Sequence, residues 1–187
     1  MKILVGCEFS GTVRNAFALR GHDVTSCDLL PTESELIGNS KHYQGNLLDI
    51  LYQNWDMGIF FPSCQHLCSS GARWCKQKEK EQRESSEFVE KLWDCGIPKI
   101  AIENPIGVLP RLSKLGKASQ IIQPWWFGHG ETKATCLWLK NLPLLKPTNI
   151  VDGREPRINR LPPSKDRWKI RSRTYQGIAE CMANTWS

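Results

Sequence analysis

The sequence predicts an α/β protein built on a parallel, doubly wound sheet. Short apolar runs typical of strands alternate with helical segments up to residue 103. The runs end at Gly, Pro, Asp or Asn, which are common where a strand gives way to a loop. Strands that are joined by helices pair in parallel, and the helices then cover both faces of the sheet.

The elements follow from the local patterns in order. Lys2–Gly6 is an apolar run ended by Gly and is predicted as the first, buried strand. Ser10 is the predicted cap of a helix through Arg20, which Gly21 ends. The other predicted strands are Asp23–Asp28, His42–Gly45, Asp56–Phe61, Lys99–Glu103, Ala118–Gln123 and Thr135–Leu139. The other predicted helices are Leu47–Gln53, Lys76–Cys95 and Thr174–Trp186.

The length of 187 residues predicts a single domain. The net charge is +6, but residues 1–139 hold 15 basic and 15 acidic side chains, so the excess lies in the last 48 residues. Residues 143–173 carry most of it, and the five prolines between 143 and 172 predict an extended loop. A basic end on a neutral body suggests a polyanionic partner, and a solvated loop is equally consistent with charge alone.

Eight cysteines in a chain of this length do not indicate a small disulfide-stapled fold. The apolar run before Gly6 is too short for an export signal, and no stretch approaches the length of a membrane span. We therefore expect a cytoplasmic protein that does not contact a membrane.

Two predicted strand ends suggest a cofactor site. Cys7–Gly11 joins the first strand to the first helix, where glycine permits close approach and a helix N-terminus offers free N–H groups. Asp28 ends the second strand, where a carboxylate suits the hydroxyls of a ribose. Together they favour a cofactor that contains adenosine.

Two further strand ends carry reactive side chains. Cys64 follows the fourth strand and is a candidate nucleophile if its thiolate is favoured, although a lone cysteine is more often inert. Glu103 ends the fifth strand, where a carboxyl group is costly unless it is paired or neutral. A neutral Glu103 could donate a hydrogen bond to a ring nitrogen, whereas a paired one would only hold a loop arginine.

Two competing patterns occur nearby. Cys64, His66, Cys68 and Cys75 could supply four zinc ligands, but their spacing crowds the first three. Trp125 and Trp126 could stack on bases, or at least one of them could pack in the core.

Taken together, these motifs resemble the C5-cytosine DNA methyltransferase family, in particular its short single-domain phage and prophage members. Pro62-Ser63-Cys64-Gln65 is similar to the family's Pro-Cys-Gln loop, and Glu103-Asn104-Pro105 to its Glu-Asn-Val motif. The resemblance implies a Rossmann-like, S-adenosyl-L-methionine-dependent methyltransferase sheet, mostly parallel with an antiparallel strand near the C-terminal end. The cofactor-binding residues that it implies are Phe9, Ser10, Gly11, Asp28, Asn46 and Pro62.

The resemblance also implies a mechanism and a partner. Cys64 would add to carbon 6 of cytosine, Glu103 would act at N3, and carbon 5 would take the methyl group. Asn104 would fix the loop of Glu103, and Gln65 that of Cys64. The partner would be duplex DNA with the target cytosine flipped out, and in a phage protein the site of action would be the host cytoplasm. The implied nucleic-acid contacts are Lys133, Arg154, Arg157 and Arg160, and the loop 143–173 would stand in place of a target-recognition domain.

Three alternatives remain open at the level of sequence. The same chemistry could act on RNA or on a free nucleotide. The chain could bind nucleic acid or cofactor without turnover, because Asn46, Ser63 and Lys133 depart from the family's usual residues. A zinc-binding nucleic-acid module is the third.

Overall fold

A computed structural model describes residues 1–68 and 75–187, with the side chains of all of these except residues 75–78. Its seven strands form one sheet in the order β3-β2-β1-β4-β5-β7-β6. The strands are β1 (Lys2–Gly6), β2 (Asp23–Asp28), β3 (Ser40–Gln44), β4 (Met57–Phe60), β5 (Lys99–Pro105), β6 (Gln120–Ile122) and β7 (Thr135–Lys140). All seven predicted strands are present, and β5 extends two residues beyond its predicted end at Glu103.

The helices agree less closely with the bounds predicted from the sequence. They are α1 (Thr12–Ala18), α2 (Leu48–Leu51), α3 (Cys75–Trp93), α4 (Leu109–Leu112), α5 (Arg157–Arg160), α6 (Arg167–Ser172) and α7 (Gln176–Trp186). The prediction of an extended loop over residues 143–172 was wrong in one respect, because α5 and α6 interrupt it. Helix α5 lies between Pro156 and Pro162, α6 follows the last of the prolines at Pro163, and neither helix buries a side chain. No helix in the described part of the chain is both long and apolar enough to cross a bilayer.

The sheet has the predicted mixed topology. Strands β1 to β5 run parallel, with Ile3 of β1 paired to Val24 on one side and to Met57 on the other. Strand β7 runs antiparallel to both β5 and β6, with Glu103 opposite Leu137. This confirms a mostly parallel sheet with an antiparallel strand near the C-terminal end.

Both faces of the sheet are covered, as a doubly wound fold requires. Side chains alternate along β1, so Ile3 and Val5 point to one face and Leu4 to the other. Ile3 and Val5 belong to a buried cluster with α1 and α7, to which Phe17 and Met182 contribute. The cluster on the opposite face contains Leu4 and side chains from α2 and α3, namely Leu51, Val89 and Leu92.

The strand order reverses between β1 and β4. The chain proceeds outward from β1 to β2 and β3, and in the other direction from β4 to β5. Loops that leave two such strands diverge and open a crevice at their carboxyl ends, where ligands bind in open α/β sheets. The crevice here lies between the loop after β1, residues 7–11, and the loop after β4, residues 61–68.

Candidate active site

The loop that carries Cys64 is a compact turn at the carboxyl end of β4. The Phe61 N–H donates to the Gly6 carbonyl at 3.0 Å, which ties the start of the loop to β1. The carbonyl oxygen of Cys64 accepts the N–H groups of Leu67 at 3.1 Å and Cys68 at 3.0 Å. Leu67 is fully buried and anchors the turn, while Cys64 is exposed at its head.

The end of β5 and the residues that follow it hold this loop at three points. The Asn104 side-chain amide donates to the Pro62 carbonyl at 3.0 Å, and the Val108 N–H donates to the Leu67 carbonyl at 2.8 Å. Gly107 lies where the two backbones cross, because a Cβ built there would stand 1.9 Å from the Leu67 carbonyl oxygen. Asn104 lies within β5 and thus contacts the loop of Cys64, whereas its predicted role in fixing the loop of Glu103 stays a prediction.

Replacing Gly107 with alanine is expected to displace the Cys64 loop. The added methyl group would overlap a backbone carbonyl, which cannot rotate away as a side-chain end can. A displacement of about 1 Å at a reacting group costs on the order of 100-fold in rate. The measurement is the alkylation rate of Cys64, followed by mass spectrometry. Gly153→Ala is the matched control, since a Cβ at Gly153 meets only an ordinary contact at 3.8 Å. Equal alkylation of Cys64 in the two variants would contradict this role of Gly107.

Glu103 is a half-buried carboxyl group beside two polar side chains. Burial raises its pKa above the ordinary value, and the nearby Lys133 charge and the Thr135 hydroxyl only partly oppose that rise. The protonated acid therefore persists to higher pH than for an exposed glutamate. That is the state in which a carboxyl group donates a hydrogen bond or a proton.

Cys64 interacts electrostatically with Glu103 and Lys133. Desolvation raises the pKa of the Cys64 thiol, the Glu103 carboxylate and Cys68 raise it further, and Lys133 lowers it. The structure therefore brings the two predicted reactive groups together at one end of the sheet. The sequence analysis required a favoured thiolate if Cys64 is to be a nucleophile. With Glu103 ionised, the structure favours the neutral thiol of Cys64 instead. Protonation of Glu103 would remove one of the causes that oppose the thiolate.

Lys133 lies at the inner wall of the site. It lines a cavity with Glu103, and its ammonium group donates to the Arg171 carbonyl at 2.8 Å. The ring of Tyr175 is 5.9 Å from the same ammonium group. Lys133 therefore faces the acid, and its contact with nucleic acid stays a prediction.

The loop after β1 makes its own hydrogen bonds at the start of α1. The Glu8 carboxylate is buried and accepts the N–H groups of Val13 at 2.6 Å and Arg14 at 3.2 Å. Ser10 accepts the Thr12 N–H at 3.3 Å. The expectation of free N–H groups at this helix end was therefore wrong, because a carboxylate of the chain itself occupies them.

Two of the predicted cofactor-binding residues, Asp28 and Asn46, lie at neighbouring strand ends. One carboxylate oxygen of Asp28 accepts the Leu30 N–H at 3.0 Å, and burial raises the pKa of this group. The backbone N–H of Leu29 also interacts with this carboxylate and lowers its pKa. Asn46 is exposed, and its side-chain oxygen accepts the Leu48 N–H at 3.0 Å, which leaves its amide N–H groups for a ligand.

The other predicted residues are distributed around this crevice. Phe9 is buried, with its ring centroid 6.0 Å from that of Trp168. Gln65 is exposed, and its backbone N–H donates to the Ser63 hydroxyl at 3.4 Å, so a role for its side chain stays a prediction. The Arg154 guanidinium lies 3.7 Å from the centre of the Trp125 ring. Arg157 pairs with the Glu131 carboxylate at 2.8 Å, and Arg160 is exposed.

Sequence reasoning missed several positioning residues. Glu131 is buried between Arg157 and Tyr175, whose hydroxyl donates to it at 2.8 Å. Arg14 is fully buried, and its guanidinium donates to Asn15, Ser26, Thr32, Ser34 and Glu35. Only the tertiary structure reveals these contacts, since most of them join residues that are far apart in the chain. The sequence did offer one signal, because the glycine at position 107 permits close approach of two backbone segments. The sequence analysis did not use it.

The zinc alternative depends on Cys64, His66, Cys68 and Cys75. No group of three or more His, Cys, Asp or Glu side chains there is placed to hold a metal ion. The side chain of Cys75, the fourth proposed ligand, lies outside the described residues.

No family profile matches the chain, and a search of curated proteins found no match. Among solved structures, the chain is similar to a candidate DNA modification methyltransferase encoded within an E. coli prophage, with a TM-score of 0.48 and 13% identity. It is also similar to a mutant of DNMT2 from Spodoptera frugiperda, with a TM-score of 0.40 and 16% identity. The matches cover 81% and 82% of this chain but 52% and 54% of those chains, so this chain spans about half their length.

Proposed function

We propose that the protein is an S-adenosyl-L-methionine-dependent DNA methyltransferase that acts on carbon 5 of cytosine. The observation that carries the proposal is the pairing of Cys64 and Glu103 at adjacent strand ends. The Glu103 carboxylate raises the pKa of the Cys64 thiol, and burial favours the acid form of Glu103. A nucleophilic sulfur opposite a carboxylic acid suits attack on a ring whose nitrogen must be protonated.

The chemistry can be assigned to residues of this chain. The Cys64 thiolate would add to carbon 6 of cytosine, while the Glu103 carboxyl group would give its proton to N3. Carbon 5 then carries electron density and would take the methyl group. Loss of the carbon 5 proton to solvent water and elimination of the Cys64 thiolate would restore the aromatic ring, with the N3 proton returned to Glu103. Lys133 would stabilise the carboxylate that Glu103 becomes.

The polar side chains in the crevice suit the proposed cofactor, because they offer both hydrogen-bond acceptors and donors. The Asp28 carboxylate can accept from ribose hydroxyls, and the Asn46 amide offers donors to an adenine ring. Phe9, Ser10 and Gly11 would form the wall after β1, and Pro62 the wall after β4. The bound cofactor would supply an electrophilic methyl group. Because Glu8 occupies the N-terminus of α1, binding there would rest on side chains and not on free helix N–H groups.

The direct test is methyl transfer with a labelled donor. Purified protein would be incubated with duplex DNA, RNA or dCMP, and the products would be digested to nucleosides. Label in 5-methylcytosine from duplex DNA alone would support the proposal. Label from RNA or dCMP alone would move the same chemistry to another substrate. DNA binding with no label in any product would identify a binding protein without turnover.

Neutralising Arg154, Arg157 and Arg160 with glutamine is expected to weaken DNA binding and flatten its salt dependence. Each lost phosphate contact lowers the slope of log affinity against log salt by about 0.9. Arg160 should contribute most as a single change, because Arg157 is already paired with Glu131 and Arg154 lies on Trp125. The control is Lys41→Gln, an exposed cation near the start of β3 and thus at the opposite edge of the sheet. An unchanged slope in the triple variant would rule out this surface.

A further inference from the structure

Residues 172–175 form part of the wall of the cavity beside Glu103. Ser172, Thr174 and Tyr175 line it together with Glu103 and Lys133, and it encloses about 20 Å³. That is room for about one water molecule. A pyrimidine ring therefore cannot enter unless part of this wall moves.

Residues 165–174, which contain α6 and are called the strap, contribute Ser172 and Thr174 to this wall. Two side-chain contacts hold the strap over the loops at the crevice. Arg173 donates two hydrogen bonds to the Glu33 carboxylate, at 2.9 and 3.0 Å. The Trp168 ring lies against Phe9. Glu33 is in turn tied to the loop after β1, because its N–H donates to the Phe9 carbonyl at 2.9 Å.

Another ligand can replace both contacts, because the side chains that make them are partly exposed to solvent. The side chains of Arg173 and Glu33 are 45% and 33% exposed, so water screens their ion pair and its contribution to stability is small. Trp168 is 52% exposed despite its contact with Phe9. The Nε–H group of Arg167 is buried with no hydrogen-bond partner among the described residues, which is a cost of the closed position.

The charge of the strap indicates what could open it. It carries five cations and one carboxylate, namely Lys165, Arg167, Lys169, Arg171, Arg173 and Asp166. A phosphate offers a guanidinium group the same two-point hydrogen bonding as a carboxylate. A polynucleotide strand can therefore take the place of Glu33 at Arg173.

We propose that the strap is a gate over the base pocket, and that a nucleic-acid strand opens it by replacing Glu33 as the partner of Arg173. The identity of the base in the pocket rests on the function proposed above, but the opening does not. Opening would also separate Lys133 from the Arg171 carbonyl and leave its ammonium group facing Glu103.

The test compares Glu33→Gln with Glu35→Gln. Both remove one negative charge from the same loop, but the side chain of Glu35 makes no ion pair among the described residues. Hydrogen exchange of the α6 amides in the free protein should be faster in Glu33→Gln than in Glu35→Gln or the wild type. Affinity for a labelled cytosine-containing DNA strand should rise about three-fold more in Glu33→Gln, as expected for loss of an exposed competing carboxylate.

The outcomes separate the gate from the proposed reaction. Equal exchange and equal affinity in the two variants would overturn the gate, even if the wild type transfers methyl groups. Faster exchange without the gain in DNA affinity would also overturn it, since the ion pair would then be structural only. Both effects in a protein that transfers no methyl group would support the gate and refute the function.

Discussion

Replacing Cys64 with serine is expected to abolish methyl transfer, a loss on the order of 10⁴-fold or more, as for other enzymes that lose their nucleophile. A serine hydroxyl is far less acidic than a thiol, so the oxygen anion needed for addition to carbon 6 would not form near neutral pH. The fold should persist, because Cys64 is exposed at the head of its turn and the bonds that shape the turn come from its backbone. The measurement is label in 5-methylcytosine per unit of folded protein.

Covalent trapping provides a second measurement on the same variant. DNA that contains 5-fluorocytosine should form a stable adduct with the wild type, since carbon 5 then has no proton to lose and Cys64 cannot be eliminated. Cys95→Ser is the matched control, since Cys95 is another thiol whose pKa is raised by desolvation, and it lies beyond the end of α3. An adduct in Cys64→Ser, or a similar loss in Cys95→Ser, would remove Cys64 from the mechanism.

Replacing Glu103 with glutamine is expected to slow transfer by about 10²–10⁴-fold, the range for loss of a general acid. The same change should alter the dependence on pH. Burial raises the Glu103 pKa, so the acid form is lost only as the pH rises through that raised value, and the Cys64 thiolate accumulates at still higher pH. In the wild type the rate should rise up to the Glu103 pKa and then stay level, because the gain in thiolate offsets the loss of acid. In Glu103→Gln the rise should continue until the Cys64 pKa.

The pH dependence of Cys64 alkylation measures the coupling between Cys64 and Glu103 without catalytic turnover. The Glu103 carboxylate is, after desolvation, the main cause that raises the Cys64 pKa, so alkylation of Cys64 should begin at lower pH in Glu103→Gln. Glu87→Gln removes the same charge from an exposed position on α3 and should leave the alkylation curve unchanged. A curve that does not move in Glu103→Gln would mean that the two groups are not coupled.

The strands of this protein could be predicted because the signals for them are local. The apolar run of β1 and terminators such as Gly6 and Pro62 act within a few residues of each strand. The helical part of residues 143–172 was missed because α5 and α6 span four and six residues, too short for a periodic pattern. The bond between Glu8 and the N-terminus of α1 was missed for another reason. A buried acid five residues before its partner resembles an ordinary loop residue until the turn at Cys7, with φ of 59°, brings it back.

The sequence by itself determined the sheet class and the placement of Cys64 and Glu103 at the ends of consecutive parallel strands, because both follow from short-range pattern and chain order. Only the tertiary structure decided how these groups behave. Burial raises the pKa of both, the nearby Glu103 carboxylate raises that of Cys64 further, Gly107 seats the Cys64 loop, and Arg173 pairs with Glu33 across 140 residues of chain. Desolvation and contacts between distant residues depend on where the whole chain packs, and no local pattern encodes them.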